Sequence, residues 1–163
     1  MKNKSGQQTM GLPFGVIFSI ILIVVFIVIA FIAIKHFLDI GDCAGVGQFY
    51  EELQEKVNEA WASQNSDFEF EINLPGGIDK ICFADLSGEI TGSQEDYKAI
   101  EMYSVYDSNL FLIPPAEACN MPNKLIKHIN VSEIISTSNP YCVEVGEELQ
   151  IKKGFYDKLV IIE

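Results

Sequence analysis

The longest uninterrupted apolar stretch of the chain lies near its N-terminus. Residues 16–34 read VIFSIILIVVFIVIAFIAI, with Ser19 as the only polar side chain. Together with residues 12–15 they form about 34 Å of helix at about 1.5 Å per residue, which matches a bilayer core of about 30 Å with some tilt. Because a small domain cannot surround so long an apolar cylinder, we predict a transmembrane helix at 12–38.

After this stretch, apolar and polar residues alternate with periods typical of a helix and then of a strand. Three glycines within residues 39–47 predict a flexible hinge. Apolar residues at three- and four-residue steps over 48–63 predict a helix that buries one stripe. Strict alternation over 67–74 predicts a half-buried strand, and a Pro-Gly-Gly turn leads back into a second strand at 78–84.

The remaining pattern predicts a small α+β domain. A short helix at 94–106 carries tyrosines at threefold spacing, which we expect to pack against the sheet. Further strands are predicted at 109–113, 141–145, 149–152 and 158–162. We therefore expect residues 48–163 to form an antiparallel sheet of about five strands with one or two packed helices.

The net charge of the chain excludes one class of binding partner. The chain carries a net charge of −12, and all of its 23 carboxylates lie at or after Asp39. Residues 39–163 hold 8 lysines against those 23 carboxylates, a net charge of −15, and the chain has no arginine. Nucleic-acid binding needs a basic surface, so we expect no nucleic-acid partner.

The flanks of the apolar stretch predict its orientation. Lys2 and Lys4 precede it, whereas only Lys35 and His36 follow it, which favours a cytoplasmic N-terminus for residues 1–11. The stretch is longer than the roughly 7–15 apolar residues of a cleavable signal peptide, so we expect a signal-anchor. We therefore predict a single-pass protein of the cell membrane, in contact with the lipid bilayer, with its C-terminal domain outside.

The cysteines agree with an extracytoplasmic domain. All four follow the apolar stretch, and they are Cys43, Cys82, Cys119 and Cys142. They contain no C-x-x-C pair, and the two histidines lie far apart in sequence, so we expect no metal site and no cofactor. Two disulfides formed in an oxidising compartment explain the four residues best, and three connectivities are open.

Other candidate chemistry is sparse. Asn130-Val131-Ser132 is a glycosylation sequon in a segment predicted to be outside. Residues 85–89 begin like a calcium loop, but Ile90 stands where the sharp-turn glycine belongs, which favours a plain turn. His128 lacks an identifiable nucleophilic partner and no catalytic motif is present, so we predict no catalytic residues.

The first residues, Lys4-Ser5-Gly6-Gln7-Gln8, lead directly into the apolar helix and resemble the short leader of archaeal type IV pilin-like proteins. The resemblance implies that a membrane peptidase cuts between Gly6 and Gln7. It also implies that the retained helix self-assembles into a filament core through helix–helix packing. The family often carries a glutamate five residues into the mature chain, where this sequence has Gly11.

Five further segments are similar to an uncharacterised family of small archaeal single-pass membrane proteins. They are residues 14–22, 81–83, 130–134, 139–142 and 153–161. The family has no established activity to transfer. The resemblance does imply that Cys82 pairs with Cys142, which leaves Cys43 for Cys119.

These observations lead to one expected function and two alternatives. We expect a membrane-anchored extracytoplasmic protein with a non-catalytic envelope or surface role, whose outer domain binds an unknown envelope or surface protein. The first alternative is a pilin-like subunit or minor pilin cleaved before Gln7. The second alternative is an extracytoplasmic enzyme of unknown chemistry.

Overall fold

The computed structural model describes residues 11–163, which divide into two compact units between Gly41 and Asp42. The first helix, α1 (Gly11–Ala62), supplies residues to both units. We call residues 42–163 the C-terminal domain. The predicted cleavage position between Gly6 and Gln7 lies outside the described residues.

Residues 39–47 are helical in the structure, where the sequence predicted a hinge between two separate helices. Side-chain contacts of the C-terminal domain explain this difference. Val46 is fully buried, Cys43 is disulfide-bonded, and a Cβ at Gly45 would lie 3.0 Å from the Pro75 side chain. Tertiary contacts of this kind outweigh the low helix propensity of glycine. Bending at these glycines stays a prediction.

The C-terminal domain has the predicted α+β composition. Its strands are β1 (Ser66–Glu71), β2 (Lys80–Phe83), β3 (Leu110–Ile113), β4 (Asn123–Lys124), β5 (Tyr141–Glu144), β6 (Glu148–Lys153) and β7 (Ile161–Ile162). Two short helices join the end of α1, and they are α2 (Gln94–Ile100) and α3 (Val131–Ile134). Two 3-10 turns, Glu101–Tyr103 and Pro115–Glu117, complete the regular structure of the described residues.

The strands form two antiparallel sheets instead of the single predicted one. The order is β1-β6-β7 in the first sheet and β4-β3-β2-β5 in the second. The predicted return of β1 into β2 around Pro-Gly-Gly is wrong, because β1 pairs with β6 along its whole length. A turn sequence identifies a change of direction, but the pairing partner depends on side-chain packing far away in the chain.

The main core lies between α1 and the two sheets. The stripe that α1 buries consists of Val46, Phe49, Tyr50, Leu53, Val57 and Ala60. Phe49 contacts Phe70 of β1, with 6.0 Å between the ring centroids. Trp61, the last residue of the predicted stripe, is exposed instead.

The four-stranded sheet is covered on both faces. Ile81 and Phe83 of β2 belong to the main core, whereas Cys82 between them packs in a second cluster with Ile100 of α2. This alternation is the period of two that a strand imposes on its side chains. The central strands β2 and β3 are therefore buried on both faces, which explains why their sequences are almost entirely apolar.

The predicted helix at 94–106 is shorter in the structure. It ends at Ile100, continues as the 3-10 turn, and leaves Tyr106 in irregular backbone. Ser93 caps the helix, since its hydroxyl accepts a hydrogen bond from the Asp96 backbone N–H. Of the tyrosines expected against the sheet, Tyr103 packs there but Tyr106 is exposed.

Candidate membrane anchor and binding surface

The apolar part of α1 is exposed along its length. Every large hydrophobic side chain from Phe14 to Leu38 lies on the surface. The Ser19 hydroxyl donates to the Gly15 carbonyl at 2.8 Å, so the helix itself satisfies this polar group, as an apolar solvent would require. Within residues 14–163, α1 is the one helix long and apolar enough to cross a membrane.

The charges used to predict the orientation lie on both sides of this segment. Lys35 and His36 are exposed on its C-terminal side. Lys2 and Lys4 lie outside the described residues. The orientation of the helix therefore stays a prediction.

The four cysteines form two disulfides within the C-terminal domain, and both match the pairs that the family resemblance implied. Cys82 and Cys142 stand directly opposite each other on β2 and β5, with 4.0 Å between their Cα atoms. Cys43 on α1 is joined to Cys119 in the loop before β4, with 5.2 Å between their Cα atoms. One bond thus connects two strands of a sheet, and the other connects α1 to a loop of the same domain.

Asn130 of the predicted sequon is the N-cap of α3. Its side-chain oxygen accepts a hydrogen bond from the Glu133 backbone N–H at 3.3 Å. Capping uses the oxygen, whereas a glycan would be attached to the amide nitrogen. Glycosylation at Asn130 stays a prediction.

The acidic segment at 85–89 is a turn closed by its own side chains. The Asp85 carboxylate accepts from the Ser87 hydroxyl at 2.6 Å and from the Ser87 backbone N–H at 2.9 Å. These hydrogen bonds hold the pKa of Asp85 below its ordinary value. The Asn139 amide donates to the carbonyls of Asp85 and Glu89 and ties the turn to the domain. Among the described residues, no group of His, Cys, Asp or Glu is arranged to hold a metal ion.

His128 lies against Trp61 instead of beside a nucleophile. The two rings are stacked with 3.9 Å between centroids and an interplanar angle of 17°. The His128 backbone is left-handed, with φ of 69°, and its carbonyl accepts from the Val160 N–H at 2.9 Å. Gln54 of α1 bonds both backbone groups of Lys127. The stack therefore fastens the loop before α3 to the last turns of α1.

Two aromatic surfaces of the C-terminal domain are exposed. The first, the tip cluster, consists of Trp61, Phe155 and Tyr156, which are 43%, 65% and 92% exposed. The last two stand edge to face, with ring centroids 5.1 Å apart, on a turn closed by Asp157. Lys153 Nζ donates to the Trp61 and Ser63 carbonyls, which brings this turn to the end of α1.

The second surface is a groove of about 670 Å³, which we call the tyrosine groove. Its first wall follows α2 and the 3-10 turn and includes Met102, Tyr103 and Tyr106. Its second wall is residues 115–123 and includes two prolines and two asparagines. Met102 and Tyr106 are 70% and 60% exposed, and both residue types are enriched where proteins contact a partner.

No family model, curated protein or solved structure matches this chain. The proposals below therefore rest on the geometry of the apolar helix and of the exposed surfaces. That geometry combines an exposed apolar helix, two disulfides and two aromatic surfaces.

Sequence patterns identified the cysteines and the apolar helix but missed both aromatic surfaces. Tyr103 and Tyr106 were expected on one helix face packed against the sheet, but α2 ends at Ile100, and Tyr106 is exposed beside Tyr103 in the groove. In the tip cluster, Trp61 is 94 and 95 positions away from Phe155 and Tyr156, and single-sequence periodicity carries no information at that range. One local signal in the sequence could have indicated the tip cluster. It is the aromatic pair Phe155-Tyr156 within a predicted turn, between Gly154 and Asp157.

Proposed function

We propose that this protein is a single-pass membrane protein whose C-terminal domain lies outside the cytoplasm and binds a partner there. The observation that carries the proposal is the fully exposed apolar segment at 14–38, directly followed by a disulfide-bonded domain. An apolar surface of that length is stable in lipid and unstable in water.

The disulfides support an extracytoplasmic location for the domain. Disulfides persist in oxidising compartments and are rare in a reducing cytoplasm. Lysines before the apolar segment support the same orientation, since positive flanks are retained inside. The resulting protein has residues 1–11 inside, an anchor at 12–38, and residues 42–163 outside.

The exposed aromatic side chains support a binding role for the domain. Tyrosine, tryptophan, phenylalanine and methionine are enriched where proteins recognise one another. The tip cluster and the tyrosine groove concentrate these residues on a domain that is otherwise acidic. We propose a non-catalytic envelope or surface protein as the physiological class.

Protease accessibility in intact cells tests the orientation. We expect an added protease to digest a tag placed after Glu163, while a tag placed before Met1 is digested only after the membrane is opened. The two tags serve as the reporter sites, because both lie outside the folded domain. A C-terminal tag protected in intact cells and cleaved after lysis would contradict the proposal.

A pilin-like subunit is the second candidate. It is supported by the leader-like residues Lys4-Ser5-Gly6-Gln7-Gln8 and by the exposed apolar helix that follows them in sequence. In that function the apolar segment would exchange lipid for helix–helix packing in a filament. Intact-mass spectrometry after co-expression with an archaeal prepilin peptidase distinguishes the candidates: loss of Met1 to Gly6 supports the pilin-like subunit, and retention of Lys2 and Lys4 supports the anchored binder.

A further inference from the structure

The tyrosine groove is preformed, because contacts below each wall hold it in place. On the first wall, Tyr103 packs against the cluster around the Cys82–Cys142 disulfide. On the second wall, the Pro122 carbonyl accepts from the Leu112 N–H of β3 at 2.9 Å. The neighbouring Met121 carbonyl accepts from the buried Tyr50 hydroxyl at 2.8 Å. Binding of a ligand therefore does not have to order the backbone of these two walls, and the entropy cost of binding is lower.

The lining of the groove combines flat apolar surfaces with uncharged polar groups. The rings of Tyr103 and Tyr106 are in contact, tilted by 42° with 6.2 Å between centroids, and both line the groove. Pro115 and Pro122 face the same space, and no charged residue lines it. The tyrosine hydroxyls and the amide of Asn120 make no hydrogen bond to another described residue, so they are available to a ligand.

Charged side chains lie next to the lining residues in sequence but do not line the groove. Glu101, Asp107 and Glu117 are exposed and adjacent in sequence to lining residues, and so are Lys98 and Lys124, which leaves a local excess of one negative charge. The net charge of −15 on residues 39–163 adds a long-range field of the same sign. The surroundings of the groove therefore favour a cationic ligand.

We infer that the tyrosine groove binds an extended, proline-containing segment of another envelope protein that also carries lysine or arginine. Proline-rich segments adopt the polyproline II helix without a large entropy cost, and aromatic-lined grooves recognise that shape. The unused hydroxyl and amide groups donate to the carbonyls of the segment, which polyproline II leaves unpaired. The inference rests on the proposed binding role and names both its site and the chemistry of its partner.

The test uses the full chain in nanodiscs of zwitterionic lipid, so that a cationic probe does not bind the bilayer. The probe is a fluorescein-labelled twelve-residue peptide of repeating Pro-Pro-Lys, followed by anisotropy. We expect saturable binding that is lost when alanine replaces every proline or glutamate replaces every lysine. Absence of saturable binding, or binding that survives the exchange of proline for alanine, would overturn the inference.

Two exposed large side chains provide the variants. Tyr106→Ala removes one aromatic ring from the lining of the groove and should weaken peptide binding about tenfold. Leu159→Ala removes an exposed leucine that belongs to neither the groove nor the tip cluster and should leave the affinity unchanged. Circular dichroism checks that both variants are folded, which their exposure makes the expected result. Equal loss in the two variants, or no loss in Tyr106→Ala, would contradict this site.

A neutral glycan is the competing ligand for such a lining, because sugar rings also stack on tyrosines and bond amides. Saturable binding of a neutral oligosaccharide, lost in Tyr106→Ala and accompanied by no peptide binding, would replace the inference with a glycan site. The protease experiment under the proposed function measures the orientation of the apolar helix, and its result does not depend on the groove. The two results therefore separate failure of this inference from failure of the proposed function.

Discussion

Gly45 shows how a single missing side chain positions α1 in the C-terminal domain. A Cβ built at Gly45 would lie 3.0 Å from Pro75 Cγ and 3.4 Å from Pro75 Cδ. Gly47, two residues further along the same helix, has nothing within 4 Å of the same position. The absence of a side chain therefore has different consequences at the two positions. At Gly45 it permits the close contact with Pro75, whereas at Gly47 it only lowers the helix propensity.

This difference predicts that alanine at the two positions changes the free energy of unfolding by different amounts. Gly47→Ala should stabilise the domain by about 0.5–1 kcal/mol, the gain in helix propensity. Gly45→Ala should gain less than Gly47→Ala or lose stability, because Pro75 must move away from the added methyl group. Urea unfolding monitored by circular dichroism measures both variants. An equal gain in the two would show that the contact with Pro75 places no demand on this residue.

At the scale of the elements, Lys153 supplies the cap that the sequence of α1 lacks. The last turn of α1 contains no basic residue, and its final carbonyls would face the domain without a cation. Lys153 of β6 donates to the Trp61 carbonyl at 2.7 Å and to the Ser63 carbonyl at 2.6 Å. A strand thus provides the positive charge that favours a helix C-terminus.

We predict that Lys153→Met lowers the stability of the domain by about 1–2 kcal/mol, since it leaves two carbonyls without their charged donor. Lys152→Met is the matched control. Lys152 forms an exposed pair with Glu163 at 2.8 Å, and exposed pairs of this kind contribute little to stability. Thermal unfolding measures the stability of both variants. An equal loss of stability in the two would mean that the contacts of Lys153 with the end of α1 are no more stabilising than a surface ion pair.

The elements also show how far the sequence specified the fold. The apolar segment was predictable from its uninterrupted length, and the strand predicted at 67–74 from its alternation, although in the structure this strand ends at Glu71. The assignment of β1 to β6 was not predictable, since Phe70 and Leu149 become partners only through a core that joins distant segments. The tyrosine groove was missed for the same reason, because its two walls come from segments joined by β3 and the end of α2 was misplaced.

At the scale of the whole molecule, disulfides connect parts of the C-terminal domain that are far apart in sequence. Cys82–Cys142 closes a loop of 60 residues and Cys43–Cys119 one of 76. Bonds over such lengths restrict the unfolded chain much more than they change the folded one. They therefore stabilise the entire domain and not only the strands or loops that they join.

We predict that the double variant Cys82→Ala/Cys142→Ala destabilises the domain by about 4 kcal/mol in the chain-entropy model. For a domain of this size the melting temperature should fall by about 10–20 °C. Replacing both cysteines avoids a free thiol that could exchange with the second disulfide. Differential scanning calorimetry measures the change, and an unchanged melting temperature would remove this bond from the account of stability.

The central claim is that an apolar helix anchors an oxidised domain on the outer side of a membrane. The most direct test denatures the carbonate-washed membrane fraction of expressing cells in N-ethylmaleimide and measures the intact mass of the chain. We predict that the chain remains with the membranes and carries no maleimide adduct, because all four thiols are paired. A chain released by carbonate, or one that carries four adducts, would contradict the claim.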